Sequence, residues 1–190
     1  RRVMASSLRL RARRRLPVFS ASRARTSSAP APAADAGAFT FVQISDSHIG
    51  FNKAANPDTL ATLNLALDRI RALPAPPALV VHTGDVTHLS KPAEFDTAAQ
   101  VIGGLGLPTW YVPGEHDVLD EGAGRAWLDR YGKGTQGAGW YSFDAHGVHF
   151  VGLVNVLDFK PGGLGRLGAE QLAWLAADLK GVADSTPVIV

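Results

Sequence analysis

The chain contains no cysteine. That excludes disulfide staples and thiolate metal sites, so any bound metal must be held by Asp, Glu, Asn or His. Methionine is nearly absent too: Met4 is the single one, and the chain does not begin with it. No apolar run approaches the roughly 18 residues that a membrane-spanning helix needs. Acidic residues and Lys are missing from the first 34 positions, which hold nine Arg. The other 156 residues carry ten Lys and Arg against seventeen Asp and Glu, a net charge of −7. The basic isoelectric point of about 9.2 therefore belongs to the N-terminal stretch. An acidic body argues against broad nucleic-acid binding by the folded part.

What is present suits one domain: 190 residues, 46% hydrophobic, with 20 Gly and 12 Pro for loops. Residues 1–37 are rich in Arg, Ser, Ala and Pro and lack hydrophobic periodicity, which predicts a disordered tail. Its composition fits a transit-type presequence, a basic arm for nucleic acid or a membrane surface, or non-native upstream sequence. Residues 38–190 form the domain.

Phe39-Thr40-Phe41-Val42-Gln43-Ile44 reads as a strand. A helix follows, with Asn56 as N-cap, Pro57 at its first position and Asp58 in its first turn. Leu60, Leu63, Leu67 and Ile70 recur at helical spacing, and Pro74, Pro76 and Pro77 end the helix. Ala78 to His82 is a buried strand. A second helix spans Pro92 to Ile102, opened by Ser90, and Thr109 to Val112 is a third strand. This β-α-β-α-β order implies a largely parallel sheet with helices packed on it. A hairpin is predicted for Trp140–Asp144 and Val148–Val154, turning at Ala145-His146-Gly147. A last helix covers Ala169 to Leu179 with Leu172, Leu175, Ala176 and Leu179 inward, and Pro187 to Val190 begins another strand.

Three polar clusters share one placement. Asp46-Ser47-His48 follows the first strand, Gly84-Asp85 the second, and Gly114-Glu115-His116-Asp117 the third. The carboxyl ends of parallel strands share one edge, where open α/β sheets build their sites. Asp46, His48, Asp85, Glu115, His116 and Asp117 should converge there. Carboxylates with imidazoles suit Mn, Fe, Zn and similar ions, and two neighbouring cations can clamp a phosphate and activate a water.

Asp46-x-His48, Gly84-Asp85 and Gly114-x-His116-Asp117, each after a strand, resemble the first three motifs of the calcineurin-like metallophosphoesterase family. The resemblance covers residues 39–190. Thr83-Gly84-Asp85 and Glu170-Gln171-Leu172-x-Trp174-Leu175 are most similar to its bacterial cyclic-nucleotide phosphodiesterase-like branch. It implies a four-layer α/β/β/α sandwich, two divalent metal ions of the Mn, Fe or Zn class, and hydrolysis of a small phosphate ester. The ester would be a phosphodiester such as a cyclic nucleotide, or a phosphomonoester. A non-catalytic interaction protein of the same fold, or a nuclease, is the alternative.

By the same resemblance, Asp46 and His48 bind the first metal, Asp85 bridges, and Glu115 binds the second. His116 assists the leaving group, with Asp117 orienting and charging its ring. Two departures are visible. Glu115 stands where the family has Asn, adding negative charge. The family's later His ligands, including a Gly-His-x-His turn, do not occur in the 190 residues. They are expected beyond Val190, with the fold incomplete at the C-terminus and the 190-residue chain by itself inactive.

Other residues read more plainly. Strand alternation puts His82 on the opposite face from Asp85, packed and hydrogen-bonded. His88 could line the site rim, though a solvent-exposed loop position is the first reading; His146 reads as a solvated turn residue and His149 as a strand-face residue. Asn155 ends a strand and could reach the cleft.

Overall fold

The computed structural model describes residues 4–10, 38–156 and 165–190. Its first sheet has the order β1(Met4–Leu10), β2(Phe39–Ser45), β3(Leu79–His82), β4(Thr109–Tyr111). Strands β2, β3 and β4 are parallel, with Phe41 opposite Leu79 and Val80 opposite Thr109. Strand β1 lies antiparallel on β2, Met4 opposite Ser45 and Leu10 opposite Phe39. This differs from the irregular tail expected for residues 1–37. Without it, β2 would expose an edge of unpaired backbone groups, and backbone groups pair whatever the side chains. The rest of that tail, residues 11–37, lies outside the described residues.

Alternation along the strands builds two cores. Val42, Ile44 and Val80 face helices α1(Thr59–Arg71) and α2(Pro92–Gly103), packing on Leu63, Leu67, Ile70, Ala98 and Ile102. Phe41 and Leu79 face the other way, onto Val148 and Phe150 of the second sheet. That sheet is β5(Tyr141–Ala145), β6(Val148–Gly152) and β7(Val188–Ile189), with β5 antiparallel and β7 parallel to β6. Rings fill the gap between the sheets: Trp110 stacks on Phe143 at 3.8 Å, and Phe143 on Phe150 at 4.9 Å. Helix α4(Ala169–Lys180) covers the outer face of the second sheet. The layers are thus α/β/β/α, as predicted. Among the described residues, no helix is long and apolar enough to cross a membrane.

Local chemistry moved several boundaries. Helix α1 begins two residues later than Asn56-Pro57 suggests, because the Asp58 carboxylate accepts the Ala61 N–H at 2.8 Å. Leu60 is exposed, and the buried stripe is Thr59, Leu63, Ala66, Leu67 and Ile70. Helix α2 is capped from Lys91 and not Ser90, with buried Glu94 accepting the Leu89 N–H at 2.8 Å. A short helix α3(Arg125–Tyr131), absent from the sequence reading, buries Trp127 and reaches α2 through Arg130 and Asp96.

The predicted face of α4 is corrected as well. Leu172 is exposed, and Gln171 is the buried residue. Its amide closes a two-way clamp on Val154, accepting that N–H and donating to that carbonyl, both at 2.7 Å. Asp178 accepts the Ser142 hydroxyl at 2.6 Å and pairs with His149 Nε2 at 2.8 Å. His149 Nδ1 pairs with Asp144 at 2.7 Å. Polar contacts therefore dock this helix.

Asp178 foremost, with Asp144, holds the His149 pKa above its ordinary value. A raised imidazole pKa gives stability that is complete below the unfolded value near 6.5 and fades as pH rises through the folded value. Thermal midpoints measured from about pH 5 to about pH 9 should fall with rising pH more steeply in the wild type than in His149→Gln. Parallel profiles would refute the His149 latch.

Candidate metal centre

Strands β2, β3 and β4 end on one edge, and the three loops leaving them are fastened together by backbone. Asp46 N–H donates to the Gly84 carbonyl at 3.0 Å, His48 N–H to Asp85 at 2.9 Å, and Ile49 N–H to Val86 at 3.0 Å. The third loop is pressed onto the second. A Cβ on Gly84, whose φ is +103°, would lie 2.6 Å from the Gly114 nitrogen. Only glycine fits there. Asp46, His48 and Asp85 take φ of 56°, 44° and 54°. Left-handed backbone at three non-glycine residues is local strain of the kind that clusters at functional sites.

These loops bring the polar side chains together. His48 Nε2 lies 3.4 Å from Asp85 Oδ2 and 3.6 Å from Asp46 Oδ1. Asp85 is buried, and its Oδ1 accepts the His116 backbone N–H at 3.0 Å. Three sets of potential ligand atoms each lie within 4.8 Å of one another: Asp46–His48–Asp85, Asp85–Glu115–His116, and His48–His88–His116. Asp85, His48 and His116 each belong to two of them. Burial, with Glu115 adding to it, raises the Asp85 pKa against the opposing His116 N–H. A pocket of about 260 Å³ opens beside these groups, lined by Asp46, His48, Phe51, Ala55, Asn56, Thr59, His88 and His116. A larger cavity of about 660 Å³ between the sheets holds none of the candidate ligands, and Asn155 lines that cavity instead.

A family model described as Calcineurin-like phosphoesterase matches residues 39–180. The chain belongs to the calcineurin-like phosphoesterase family. Over 64 residues it is 36% identical to glycerophosphodiester phosphodiesterase GpdQ of Enterobacter lignolyticus (strain SCF1), covering 34% of this chain and 20% of that protein. Over 84 residues it is 33% identical to purple acid phosphatase 23 of Arabidopsis thaliana, covering 40% and 17%. The chain thus spans a fifth or less of these relatives. Purple acid phosphatase PPD1 from yellow lupin (Lupinus luteus) seeds shares the fold with a TM-score of 0.53 at 17% identity, over 77% of this chain and 30% of that one.

A calcineurin-like phosphoesterase implies divalent metal ions, and the donor set fits them. Carboxylate oxygens and imidazole nitrogens converge from three loops with no thiolate among them. Asp46, His48, Asp85, Glu115 and His116 all appear in these groups.

Asp117 differs from its expected role. Its side chain is fully buried and does not hold the His116 ring. Oδ2 accepts the N–H groups of Val86 and Gly114, both at 3.0 Å, and Oδ1 accepts the Thr87 N–H at 2.8 Å and hydroxyl at 2.9 Å. Burial raises its pKa against those donors. The His116 ring is oriented instead by a backbone carbonyl, its Nδ1 standing 2.6 Å from His88 O. A carbonyl only accepts, so Nδ1 carries the proton and Nε2 is left for chemistry. Ser90 supports the same segment, donating to the His116 carbonyl and accepting the Leu119 N–H, both at 2.8 Å.

The other histidines separate clearly. His82 is buried and neutral. It accepts the Gly84 N–H at Nδ1 (3.3 Å), meets the Ser47 hydroxyl at Nε2 (3.0 Å), and burial lowers its pKa to about 3. His146 is exposed at the hairpin turn, stacked on Phe39. His88, read as a solvent-exposed loop residue, stacks on His116 at 4.9 Å and lines the pocket. Its position three after Asp85 was the available signal.

The Asp117 clamp makes a stability prediction. Asp117→Ala strands four donors beneath the site and should cost about 3–5 kcal/mol. Asp117→Asn should also destabilise, because an amide NH2 would face N–H donors. Urea unfolding followed by circular dichroism measures both, and a loss below about 1 kcal/mol for Ala would contradict the clamp.

Proposed function

We propose that this chain carries the metal-binding loops of a hydrolase that cleaves a phosphodiester at a dinuclear metal centre. Asp46 and His48 would hold one ion and Glu115 the other, with the Asp85 carboxylate available to both. The family membership supports phosphoester hydrolysis. Bound divalent ions would supply the Lewis acidity that polarises the phosphoryl group and makes water acidic enough to attack near neutral pH.

The remaining steps fall to this chain's side chains. With Nδ1 fixed on the His88 carbonyl, His116 presents Nε2 to the ester; with a second proton on Nε2 the imidazolium would donate to a phosphoryl oxygen or pass that proton to the departing oxygen. Asp117 holds the loops carrying Asp85 and His116 at a set distance, so it is a positioning residue. Phe51 and Ala55 give the pocket an apolar wall, with Asn56 and Thr59 as polar contacts.

One observation carries the choice of a diester. Among the described residues no Lys or Arg lines the pocket, so no cationic side chain stands ready for the second negative charge of a monoester. A diester bears one negative charge at neutral pH and a monoester close to two, so the diester asks less of a site whose only cations would be the metal ions. The name of the Enterobacter relative, a glycerophosphodiester phosphodiesterase, agrees, and cyclic nucleotides fall in the same class.

The natural protein carrying this sequence should hydrolyse bis-p-nitrophenyl phosphate with added Mn²⁺ or a similar ion, at a higher kcat/KM than p-nitrophenyl phosphate. Asp85→Asn should lose on the order of 100-fold or more, as expected when a bridging ligand goes, while His146→Ala changes little. No turnover above a metal-only blank would sink the enzyme reading, and a preference for the monoester would sink the substrate class. Glu115→Asn should stay folded and narrow the gap between diester and monoester by removing one negative charge. An unchanged ratio with unchanged metal content would show that residue 115 is not a ligand.

A further inference from the structure

We propose that His48, His88 and His116 form an all-imidazole cation position beside the two carboxylate-bearing ones, and that His88 thereby biases the centre toward zinc-like ions over manganese. The inference rests on the metal-dependent reading above and specifies which ions that centre takes.

One nitrogen from each of the three rings lies within 4.8 Å of the others. The ring centroids are 4.7 Å apart for His48 and His116, 4.9 Å for His88 and His116, and 5.9 Å for His48 and His88. The two neighbouring groups each contain carboxylates, Asp46 and Asp85 in one, Asp85 and Glu115 in the other. The third contains none. Ligand type sorts ions: carboxylate oxygens suit Mg and Mn, whereas imidazole nitrogens suit Zn, Cu, Ni and Fe. A nitrogen added by His88 therefore shifts an otherwise oxygen-rich centre toward the second set.

His88 is held ready for this. Its N–H donates to the Ile49 carbonyl at 2.9 Å, and its own carbonyl accepts His116 Nδ1 at 2.6 Å. Phe51 packs edge-on against its ring at 5.0 Å, and His116 lies nearly parallel to it. Yet Nδ1 of His88 is buried with no hydrogen-bond partner among the described residues. A buried polar nitrogen left so is costly and calls for a partner. The same residue thus fixes the tautomer of His116 through its carbonyl and offers a further nitrogen from its ring. Orientation of this kind is what tunes metal sites. With Nδ1 on the His88 carbonyl, His116 has only Nε2 to offer, so an ion on the three imidazoles and an ester at Nε2 are alternative states of one centre, and the effect of His88 is read as selectivity and not as a count of ions.

The test is competitive equilibrium dialysis of the purified natural protein against Zn²⁺ and Mn²⁺ together, with bound metal measured by plasma emission. His88→Phe keeps the ring packing and removes the nitrogens, and His88→Asn keeps polarity without the ring. Both should lower the bound Zn-to-Mn ratio by about tenfold or more, the usual scale for losing a partner in such a site, while Asp85→Asn should lower uptake of both ions. A ratio unchanged in the His88 variants, with Asp85→Asn still losing metal, overturns this inference and leaves the dinuclear reading standing. Full uptake of both ions by Asp85→Asn overturns that reading instead. A measurement on the wild type needs no variant: one equivalent of Cu²⁺ should show coupling to three imidazole nitrogens by pulsed electron paramagnetic resonance. Coupling to one or none refutes the position.

Discussion

The whole arrangement depends on one buried carboxylate. Asp117 takes N–H groups from Val86 and Thr87 on the second loop and from Gly114 on the third. It thereby fixes how far Asp85 stands from Glu115 and His116. The first loop is fastened to the second by Asp46 and His48 donating to Gly84 and Asp85. The candidate ligands are thus referenced to one another through backbone groups. Such a frame keeps its spacing when surface residues change, and it requires glycine at 84, where the chains pass too closely for a Cβ.

Within that frame the electrostatics are deliberately unbalanced. Asp85 is buried and its pKa is raised, with Glu115 adding to the burial. Among the described residues, no Lys or Arg lines the adjoining pocket. A folded protein normally neutralises such a cluster with cationic side chains. Here imidazoles from His48, His88 and His116 fill the gaps between carboxylates, giving a donor set suited to cations.

The parallel strands, α1, α2 and the hairpin were legible because each is long or strongly patterned. The convergence of Asp46, His48, Asp85, Glu115 and His116 was legible because strand ends fix where their loops start. What a side chain does with its hydrogen bonds was not. Asp117 follows His116 in sequence, but its carboxylate turns inward to loops 30 residues away, a choice made by tertiary contacts. His88 looked like a loop histidine because its packing against Phe51 and His116 joins separate segments. Helix α4 misled for a different reason. Its leucines suggested an apolar face, whereas the docking groups are Gln171 and Asp178, and amphipathic reckoning does not weigh hydrogen bonds. Seven-residue α3 is too short to show a period.

The strained residues show how fold and site are joined. Left-handed backbone at Asp46, His48 and Asp85 costs about 1–3 kcal/mol at each and must be offset nearby. Directly after them in sequence come Ser47, Ile49 and Val86, all buried. Ile49 and Val86 anchor the two loops in the core beneath α1 and α2. Ser47 donates to the Val86 carbonyl at 2.9 Å and meets His82, whose Nδ1 accepts the Gly84 N–H. Every strained residue therefore alternates with an anchored one, and the anchors draw on the core that Leu63, Leu67, Ala98 and Ile102 build. It follows that substitutions enlarging a void under Ile49 or Val86 act on the site first. They release the φ angles that aim the ligands while β2, β3 and β4 remain paired, so metal affinity responds to core packing at a distance from any ligand.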